Sequence, residues 1–327
     1  MVGLMILQGI TSCRYKVAEH VFEVSQSIGE NFFADFMDNY EPFFVEDSMH
    51  RDNLPVDYLF AISVAYCDAF PEYTEELTQD DEGQQILCGT LQEKSVFEFR
   101  LFHKIAGVLV CSQKYDTARL LLSRNVTPAL LKFALNNALM VLYAIASAPY
   151  NTALFHAAVV NYGGKGYMFL GKSGTGKSTH ARLWLKYNEG AELLNDDNPV
   201  VRYFEETADE SRTATTCGVR VYGSPWSGKT PCYKNEDYPL GAFVMLSQAP
   251  YNKIERLCGV RAYAALVPCI SGKRWDTVIA DGLHKTENAL AMNIPVWHLE
   301  CLPDEEAAHV CRNNVVDSLR PVQNDGV

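Results

Sequence analysis

The chain has 327 residues, of which 48% are hydrophobic and 21% charged, and its net charge is −12. This length allows one large domain or two ordinary ones with buried cores. An acidic surface argues against nucleic acid or an anionic membrane as a partner. The ten cysteines include no C-x-x-C pair and none lies near two histidines, so we expect reduced thiols and no zinc. No apolar run reaches the roughly 18 residues of a membrane span, and we expect a cytoplasmic protein.

The first 125 residues predict a β-rich N-terminal module. Its candidate strands are rich in aromatic and β-branched residues and are separated by polar turns. The acidic stretch Glu72–Glu93 is expected to be an exposed loop or hairpin. The candidate strands are Tyr15–Val24, Phe43–Val45, Tyr58–Tyr66, Val96–Phe102 and Gly107–Cys111.

Residues 126–150 predict a connecting helix. Thr127 is a good N-cap, Pro128 suits the first helical position, and apolar residues then recur at helical spacing. From 151 to 327 the pattern alternates strands with helices, which is typical of an α/β catalytic domain. The predicted strands are Phe155–Val160, Tyr167–Leu170, Ala191–Asn195, Val200–Phe204, Val219–Tyr222, Ala242–Leu246 and Pro295–Leu299, and the predicted helices lie at about 180–187, 260–269, 277–291 and 304–317.

One glycine-rich segment fits the phosphate-binding pattern G-x-x-x-x-G-K-S between a predicted strand and a predicted helix. Glycines let amide N–H groups turn around phosphate oxygens, and the N-terminus of the helix adds positive potential. Lys177 supplies an ammonium group, and the Ser178 hydroxyl suits Mg²⁺. We therefore predict that ATP with Mg²⁺ binds here, and the predicted ligands are Gly171, Lys172, Ser173, Gly174, Thr175, Gly176, Lys177, Ser178 and Thr179.

A second segment, Gly223–Thr230, fits the same pattern. Pro225 removes a backbone donor there, and Pro231 prevents a helix from following. We interpret this segment as a loop at the rim of the site that contributes Ser224, Trp226 and Lys229 toward phosphate or substrate. A plain structural turn is the alternative.

Two carboxylates, Asp196 and Asp197, follow an apolar strand after the phosphate loop and its helix. Carboxylates placed there can bind Mg²⁺ or accept the proton of an attacking hydroxyl. The sequence Asn-Asp-Asp-Asn is also good turn chemistry, so an Asx turn is the alternative. His156 lies in the strand before the loop, where it either orients one Asp or is an ordinary core histidine.

These residues together resemble the catalytic domain of HPr kinase/phosphorylase, which shares its P-loop fold with phosphoenolpyruvate carboxykinase. The resemblance covers about 150–300 and is closer still to HPr-kinase-related bacterial proteins, through Leu193–Pro199 and Val221–Lys229. It implies an α/β, phosphoenolpyruvate carboxykinase-like P-loop catalytic domain with a mixed sheet, preceded by the β-rich module. It also suggests self-association as a homo-oligomer.

In that family the Asp pair supplies the catalytic base and a metal partner, with the His beside it. The resemblance leads us to assign Asp196, His156 and Lys177 to catalysis and Ser178 and Asp197 to the metal, although the residues alone leave the order within the pair open. The glycine-rich third motif of HPr kinases is absent, which argues against the phosphorylase reaction and against HPr as the acceptor. No match to the substrate region of carboxykinases is found, which argues against decarboxylation.

The expected function is therefore transfer of the γ-phosphate of ATP to a hydroxyl, either a serine of a protein or peptide or a small molecule. The alternative is a module that binds ATP as a sensor or scaffold without transferring phosphate. A third possibility is slow ATP hydrolysis coupled to a conformational change. The acceptor is the unidentified partner, and the N-terminal module is a candidate for recognising it.

Overall fold

The protein is described here by a computed structural model that covers residues 11–46, 58–205, 218–228 and 230–317. Its contacts divide the chain into two compact units, Met1–Ser147 and Ala148–Val327. Each unit combines helices with a mixed β-sheet, so the predicted α/β class is confirmed. Residues 1–10, at the start of the chain, lie outside the described part.

The first unit is built on an eight-stranded sheet in the order β1-β2-β3-β8-β7-β6-β5-β4. β3 is parallel to both β2 and β8, and every other pair is antiparallel. The strands are β1 Ser12–Val17, β2 His20–Gln26, β3 Phe60–Cys67, β4 Thr74–Asp81, β5 Gln84–Leu91, β6 Lys94–Leu101, β7 Lys104–Cys111 and β8 Thr117–Ser123, and the short helix α1 is Phe32–Phe36.

Two strand predictions in this unit were wrong. The predicted strand Tyr15–Val24 is a hairpin, because Ala18 and Glu19 adopt φ angles of 46° and 65° that reverse the chain. The predicted strand Phe43–Val45 mostly lies outside regular strand structure, because the 3₁₀ helix Asp38–Phe43 occupies its start. The hairpin turn contains neither glycine nor proline, and aromatic residues run through the 3₁₀ helix, so neither departure is visible in the sequence pattern.

Two other features of the sheet bear on the sequence analysis. The acidic stretch Glu72–Glu93 is a hairpin, β4 and β5, as predicted, and every residue of β4 is exposed. β8 was not predicted, although it lies between β3 and β7 and joins the two halves of the sheet. Its sequence mixes exposed polar residues with leucines, which weakens the strand signal.

The helix α2, Pro128–Ser147, packs on β6, β7 and β8. Leu135, Leu139 and Leu142 are fully buried, and a Cβ added to Gly107 of β7 would lie 3.0 Å from that of Ala134. The helix predicted to connect the two modules is therefore a core element of the first unit. By length and composition the apolar stretch Pro128–Tyr150 is the one described helix able to span a membrane, but its burial is typical of a core helix.

The second unit contains a sheet whose strands run in the order β12-β10-β11-β15-β14-β13-β9, with β17 pairing both β15 and β16. Of these, β9 and β16 were not predicted. The strands are β9 Thr152–Leu154, β10 Ala157–Tyr162, β11 Lys165–Leu170, β12 Glu192–Asp197, β13 Val200–Phe204, β14 Gly218–Tyr222, β15 Asp237–Gln248, β16 Lys253–Leu257 and β17 Val296–Cys301. The helices are α3 Lys177–Tyr187, α4 Val260–Leu266, α5 Thr277–Asn293 and α6 Glu305–Asp317.

Four strands of this sheet end at the same edge. β15 is parallel to β11 and to β17, and β10 is antiparallel to both β11 and β12, so β11, β12, β15 and β17 all run the same way. Their carboxyl ends are where ligand sites of open α/β sheets form. The glycine-rich loop that starts at Gly171 follows β11, and Asp196 and Asp197 are the last two residues of β12.

A core of large side chains fixes α3 against this sheet. Trp184 is fully buried among Tyr162, Tyr167 and Phe169, and its indole N–H donates to His180 Nε2 at 3.2 Å. Buried aromatic residues of this size contribute several kcal/mol of packing. The position of the first turn of α3, and therefore of the phosphate loop, depends on this cluster.

We expect Leu139→Ala to lower the free energy of unfolding by about 2–5 kcal/mol, because Leu139 is fully buried in the helix-to-sheet contact of the first unit. Urea denaturation followed by circular dichroism measures the change. Met140→Ala is the matched control on the same helix, and it should cost about 1 kcal/mol or less. Equal effects of the two substitutions would show that α2 is not a core helix.

Candidate nucleotide-binding site

The loop between β11 and α3 has the backbone that its glycines allow. Gly171, Gly174 and Gly176 adopt φ angles of 148°, 79° and 103°, a region that other residues rarely occupy. A Cβ at Gly171 would lie 2.5 Å from the Thr175 hydroxyl oxygen and 3.2 Å from the Leu246 carbonyl oxygen. The predicted loop thus has both the conformation and the close packing that require glycine.

Lys177 folds back over this loop. Its side chain is almost buried, and Nζ donates to the carbonyl oxygens of Gly171 at 3.0 Å and Lys172 at 3.3 Å. Ser178 and Thr179 follow in the first turn of α3, where they are partly exposed. An ammonium group, the N–H groups of a helix N-terminus and two hydroxyls therefore converge around one loop, which is an arrangement suited to an anion.

The two carboxylates at the end of β12 have different surroundings. Asp196 is 5% exposed, and its Oδ1 atom is buried without a hydrogen-bond partner among the described residues. Asp197 is about one-third exposed. Consecutive strand residues point to opposite faces, and Asp196 pairs with Ala158, a member of the core cluster that contains Trp184. Asp196 therefore lies on the α3 face of the sheet.

His156 contacts Asp197, with 3.4 Å between His156 Nε2 and Asp197 Oδ1. Partial burial raises the pKa of the Asp197 carboxyl, while the nearby charges of His156 and Lys177 act to lower it. The structure therefore brings together His156, Asp197 and Lys177, which the sequence placed in one site. The sequence predicts His156 beside Asp196 as the base, whereas in the structure His156 contacts Asp197.

The predicted strand Phe155–Val160 breaks at the residue that carries this contact. β9 ends at Leu154 and β10 begins at Ala157, so Phe155 and His156 lie outside both strands. The backbone N–H of His156 donates to the Cys269 carbonyl at 2.8 Å. His156 is thus held by a neighbouring loop rather than by the sheet ladder, which frees its side chain to reach the Asp pair.

Asn195 ties the Asp pair to the second glycine-containing segment. Its Nδ2 donates to Ser224 Oγ at 3.1 Å and to the Trp226 carbonyl at 3.3 Å, and the Gly228 N–H donates to the Asp196 carbonyl at 3.0 Å. Sequence analysis missed this role of Asn195. Its position directly before two aspartates was the available signal.

The proposed contacts of Ser224 and Trp226 with substrate are not supported. Ser224 is fully buried and Trp226 is 4% exposed, so their side chains support the loop instead of facing a ligand. The Ser224 hydroxyl donates to the Asn198 carbonyl at 2.6 Å. Lys229, the third residue predicted for this rim, lies outside the described residues.

The side chains near the loop offer oxygen donors of the kind that magnesium prefers. Within the described ranges no three His, Cys, Asp or Glu side chains cluster as metal ligands. Mg²⁺ needs only one or two carboxylates, since phosphate oxygens and waters complete its shell. The unpartnered Oδ1 of Asp196 and the hydroxyl of Ser178 fit that requirement.

His180 is a buried residue of α3 that sequence analysis did not single out. It is 3% exposed, and burial lowers the pKa of its imidazole to about 4. The ring is therefore neutral at pH 7, and because its Nε2 accepts from Trp184, the proton is on Nδ1. A neutral ring places no second positive charge beneath the phosphate loop.

The buried imidazole makes stability depend on pH. Because the folded-state pKa lies below the unfolded value of about 6.5, stability is lost as the pH falls from about 6.5 toward 4. Between pH 7 and pH 5, we expect the free energy of unfolding of the wild type to fall by about 2 kcal/mol more than that of His180→Phe. Fluorescence-monitored denaturation reports this unit selectively, since all four tryptophans follow residue 147. The control His309→Phe, on an exposed helix, should show no such trend.

Comparison with known proteins adds no relative from which to infer a role. No protein-family model matches the chain, and no curated protein matches it. What the site binds is therefore inferred from its own residues and their geometry.

Proposed function

We propose that this chain is an ATP- and Mg²⁺-dependent phosphotransferase that transfers the γ-phosphate to a hydroxyl group. One observation carries the proposal. Lys177 lies inside a glycine-rich loop at the start of α3, and its charge acts on Asp197, which in turn contacts His156. A simple anion site does not need a paired carboxylate and histidine facing the same lysine.

The phosphate loop is the donor side of this site. Lys177 Nζ donates to two backbone carbonyls of the loop. Phosphate oxygens offer the ammonium a charged partner in place of neutral carbonyl oxygens. The side chain then neutralises charge on the β- and γ-phosphates as the transferred group separates from the β-phosphate.

The contacts favour Asp197 as the base, which exchanges the roles assigned from the sequence. A base must be within reach of the acceptor hydroxyl, and Asp197 is the more exposed carboxylate of the pair. Its raised pKa makes it a better proton acceptor than an ordinary carboxylate. His156 orients it and carries the compensating charge when protonated.

Asp196 and Ser178 are the proposed metal residues. Removing a carboxylate oxygen from water without a partner is costly, and a cation next to Asp196 Oδ1 offsets that cost. When bound, Mg²⁺ supplies charge stabilisation at the β- and γ-phosphate oxygens. The strand register places Asp196 on the face of the sheet that α3 covers. Ser178 lies in the first turn of α3, next to the loop.

The reaction balances without further reagents. The acceptor oxygen forms a bond to the γ-phosphorus, the bond from that phosphorus to the β,γ-bridging oxygen breaks, and ADP leaves. The hydroxyl proton passes to Asp197. The acceptor is a serine of a protein or peptide, or a small molecule with a hydroxyl.

We also propose a protein family and a cellular location for this chain. The second unit is proposed to be an HPr-kinase-related P-loop domain with the phosphoenolpyruvate carboxykinase-like fold, in a cytoplasmic protein that can self-associate. The mixed sheet, the loop between β11 and α3, and the Asp pair at the end of β12 support it. The rival function, an ATP sensor or scaffold, predicts binding without turnover.

Lys177→Ala should weaken Mg·ATP binding by about 100-fold, which corresponds to roughly 3 kcal/mol of lost charge-assisted hydrogen bonding. Isothermal titration calorimetry measures the affinity. Lys186→Ala, on the solvent-facing side of the same helix, is the matched control and should bind as the wild type does. Unchanged affinity in Lys177→Ala, with the fold intact by tryptophan fluorescence, would exclude the proposed donor site.

Asp197→Asn and Asp196→Asn should separate the two carboxylate roles. We expect Asp197→Asn to lower kcat by about 100-fold or more with ATP affinity retained, because it removes the base. Asp196→Asn should instead raise the Mg²⁺ concentration needed for half-maximal rate. ADP formation with fractionated lysate as the source of acceptor measures both.

The opposite pattern, with the metal dependence shifted by Asp197→Asn, would restore the assignment made from the sequence. Wild-type protein that binds ATP and forms no ADP with any fraction would indicate the sensor function. Phosphate release without a labelled acceptor would indicate slow hydrolysis.

A further inference from the structure

The anchor segment, residues 267–271, holds the backbone of His156. The His156 N–H donates to the Cys269 carbonyl at 2.8 Å, and the Ser271 N–H donates to the Leu154 carbonyl at 2.9 Å. An isolated antiparallel bridge lies between these two bonds. Because His156 belongs to neither β9 nor β10, the place of its imidazole depends on where the anchor segment lies.

Arg274 fixes the anchor segment from the other side. Its Nη2 atom donates to the Val267 carbonyl at 2.8 Å and, more weakly, to the Ile270 carbonyl at 3.4 Å. These two carbonyls lie at the start and just after the end of the short 3₁₀ helix Val267–Cys269. A helix this short leaves carbonyl groups without partners inside it, and the guanidinium supplies a donor for them.

Glu287 of α5 in turn holds Arg274. It is fully buried, and both of its carboxylate oxygens have a partner. Oε1 accepts from Arg274 Nη2 at 2.6 Å, and Oε2 accepts from the hydroxyl of Tyr263 in α4 at 2.9 Å. A buried carboxylate is stable when a cation and hydrogen bonds compensate it. Turning the guanidinium toward solvent would leave this charge uncompensated, so Arg274 stays against the anchor segment.

Joining α4 to α5 is the simplest role for such an ion pair, but it does not account for Arg274. Tyr263 already joins α4 to Glu287 directly. Arg274 adds the link from Glu287 to the segment whose next bond is to His156. The contacts therefore run without a break from a buried group on a long helix to a side chain of the proposed site.

We propose that Arg274 and Glu287 are positioning residues for phosphate transfer, because they hold the anchor segment where His156 contacts Asp197. The proposal rests on the proposed function, since it concerns the histidine that orients the base. The contact between His156 Nε2 and Asp197 Oδ1 is 3.4 Å long, so a shift of about 1 Å would break it. Misplacement by that distance can cost about 100-fold in rate.

The test uses a paired variant, Arg274→Met with Glu287→Gln. It removes the guanidinium donor and the buried charge together, so no carboxylate is left buried and unpaired. The amide at 287 still offers an acceptor to Tyr263. The matched control is a surface variant, Arg261→Met with Glu255→Gln, because the side chains of that Arg–Glu pair in the same unit are 66% and 42% exposed.

A double-mutant cycle with His156→Ala measures whether the pair acts through His156. The assay is ADP formation from Mg·ATP with the lysate fraction that supports turnover. The paired variant should lower kcat by about tenfold or more in the wild-type background and by less than about twofold in His156→Ala. Its KM for Mg·ATP should change by less than about threefold, because neither Arg274 nor Glu287 bonds to β11, the phosphate loop or α3. The surface variant should change neither constant.

Amide hydrogen exchange, resolved by residue with NMR, reports the anchor segment without any acceptor. In the paired variant the amides of His156 and Ser271 should exchange about tenfold faster or more, because their carbonyl partners are no longer held. The amide of Val159, in the middle of β10, should keep its wild-type rate. The surface variant should leave all three rates unchanged.

Equal loss of kcat in the presence and absence of His156 would overturn the positioning role and leave the phosphotransferase proposal intact. An unchanged exchange rate at His156 would do the same, and so would equal acceleration at Val159, which indicates a general loss of stability. Wild-type protein that forms no ADP with any fraction would defeat the proposed function, and the positioning role with it.

Discussion

The site depends on one strand that contributes no proposed catalytic side chain. β10 pairs antiparallel with β11 on one side and with β12 on the other. β11 and β12, which α3 separates in the sequence, therefore run in the same direction with β10 between them. Two strand spacings amount to about 10 Å. The phosphate loop and the Asp pair therefore end at the same edge at a distance that a phosphate group and a metal ion can bridge.

Burial sets the electrostatic surroundings of the charged groups at this edge. Lys177 is held by neutral carbonyls, Asp196 has a buried oxygen without a partner, and partial burial raises the pKa of Asp197. The carboxylate oxygen of Asp196 that has no partner among the described residues costs free energy when buried, and the metal of the proposed nucleotide complex would offset that cost. The packing of Trp184 against the sheet supplies stability elsewhere in the same unit.

Sequence patterns predicted those elements whose structure depends on interactions between residues close together in the chain. The loop, α3 and α2 were found because their glycines, caps and apolar spacing act over a few residues. The hairpin at Ala18 and Glu19 was missed because no glycine marks it. Which aspartate meets His156 depends on strand register, and burial of Ser224 depends on its bonds to residues 26 to 29 positions away. No single-sequence pattern contains those distances.

The two segments that match the phosphate-loop pattern show why the pattern alone does not determine the chemistry. In the first, all three glycines have positive φ angles and a helix follows. In the second, neither Gly223 nor Gly228 does. They are glycines because neighbours approach closely: a Cβ would lie 2.0 Å from the Lys234 carbonyl oxygen at Gly223 and 2.8 Å from the Asp196 carbonyl oxygen at Gly228. Glycine gives the backbone its left-handed turns in one segment and lets a supporting loop pack against Asp196 and Asp197 in the other.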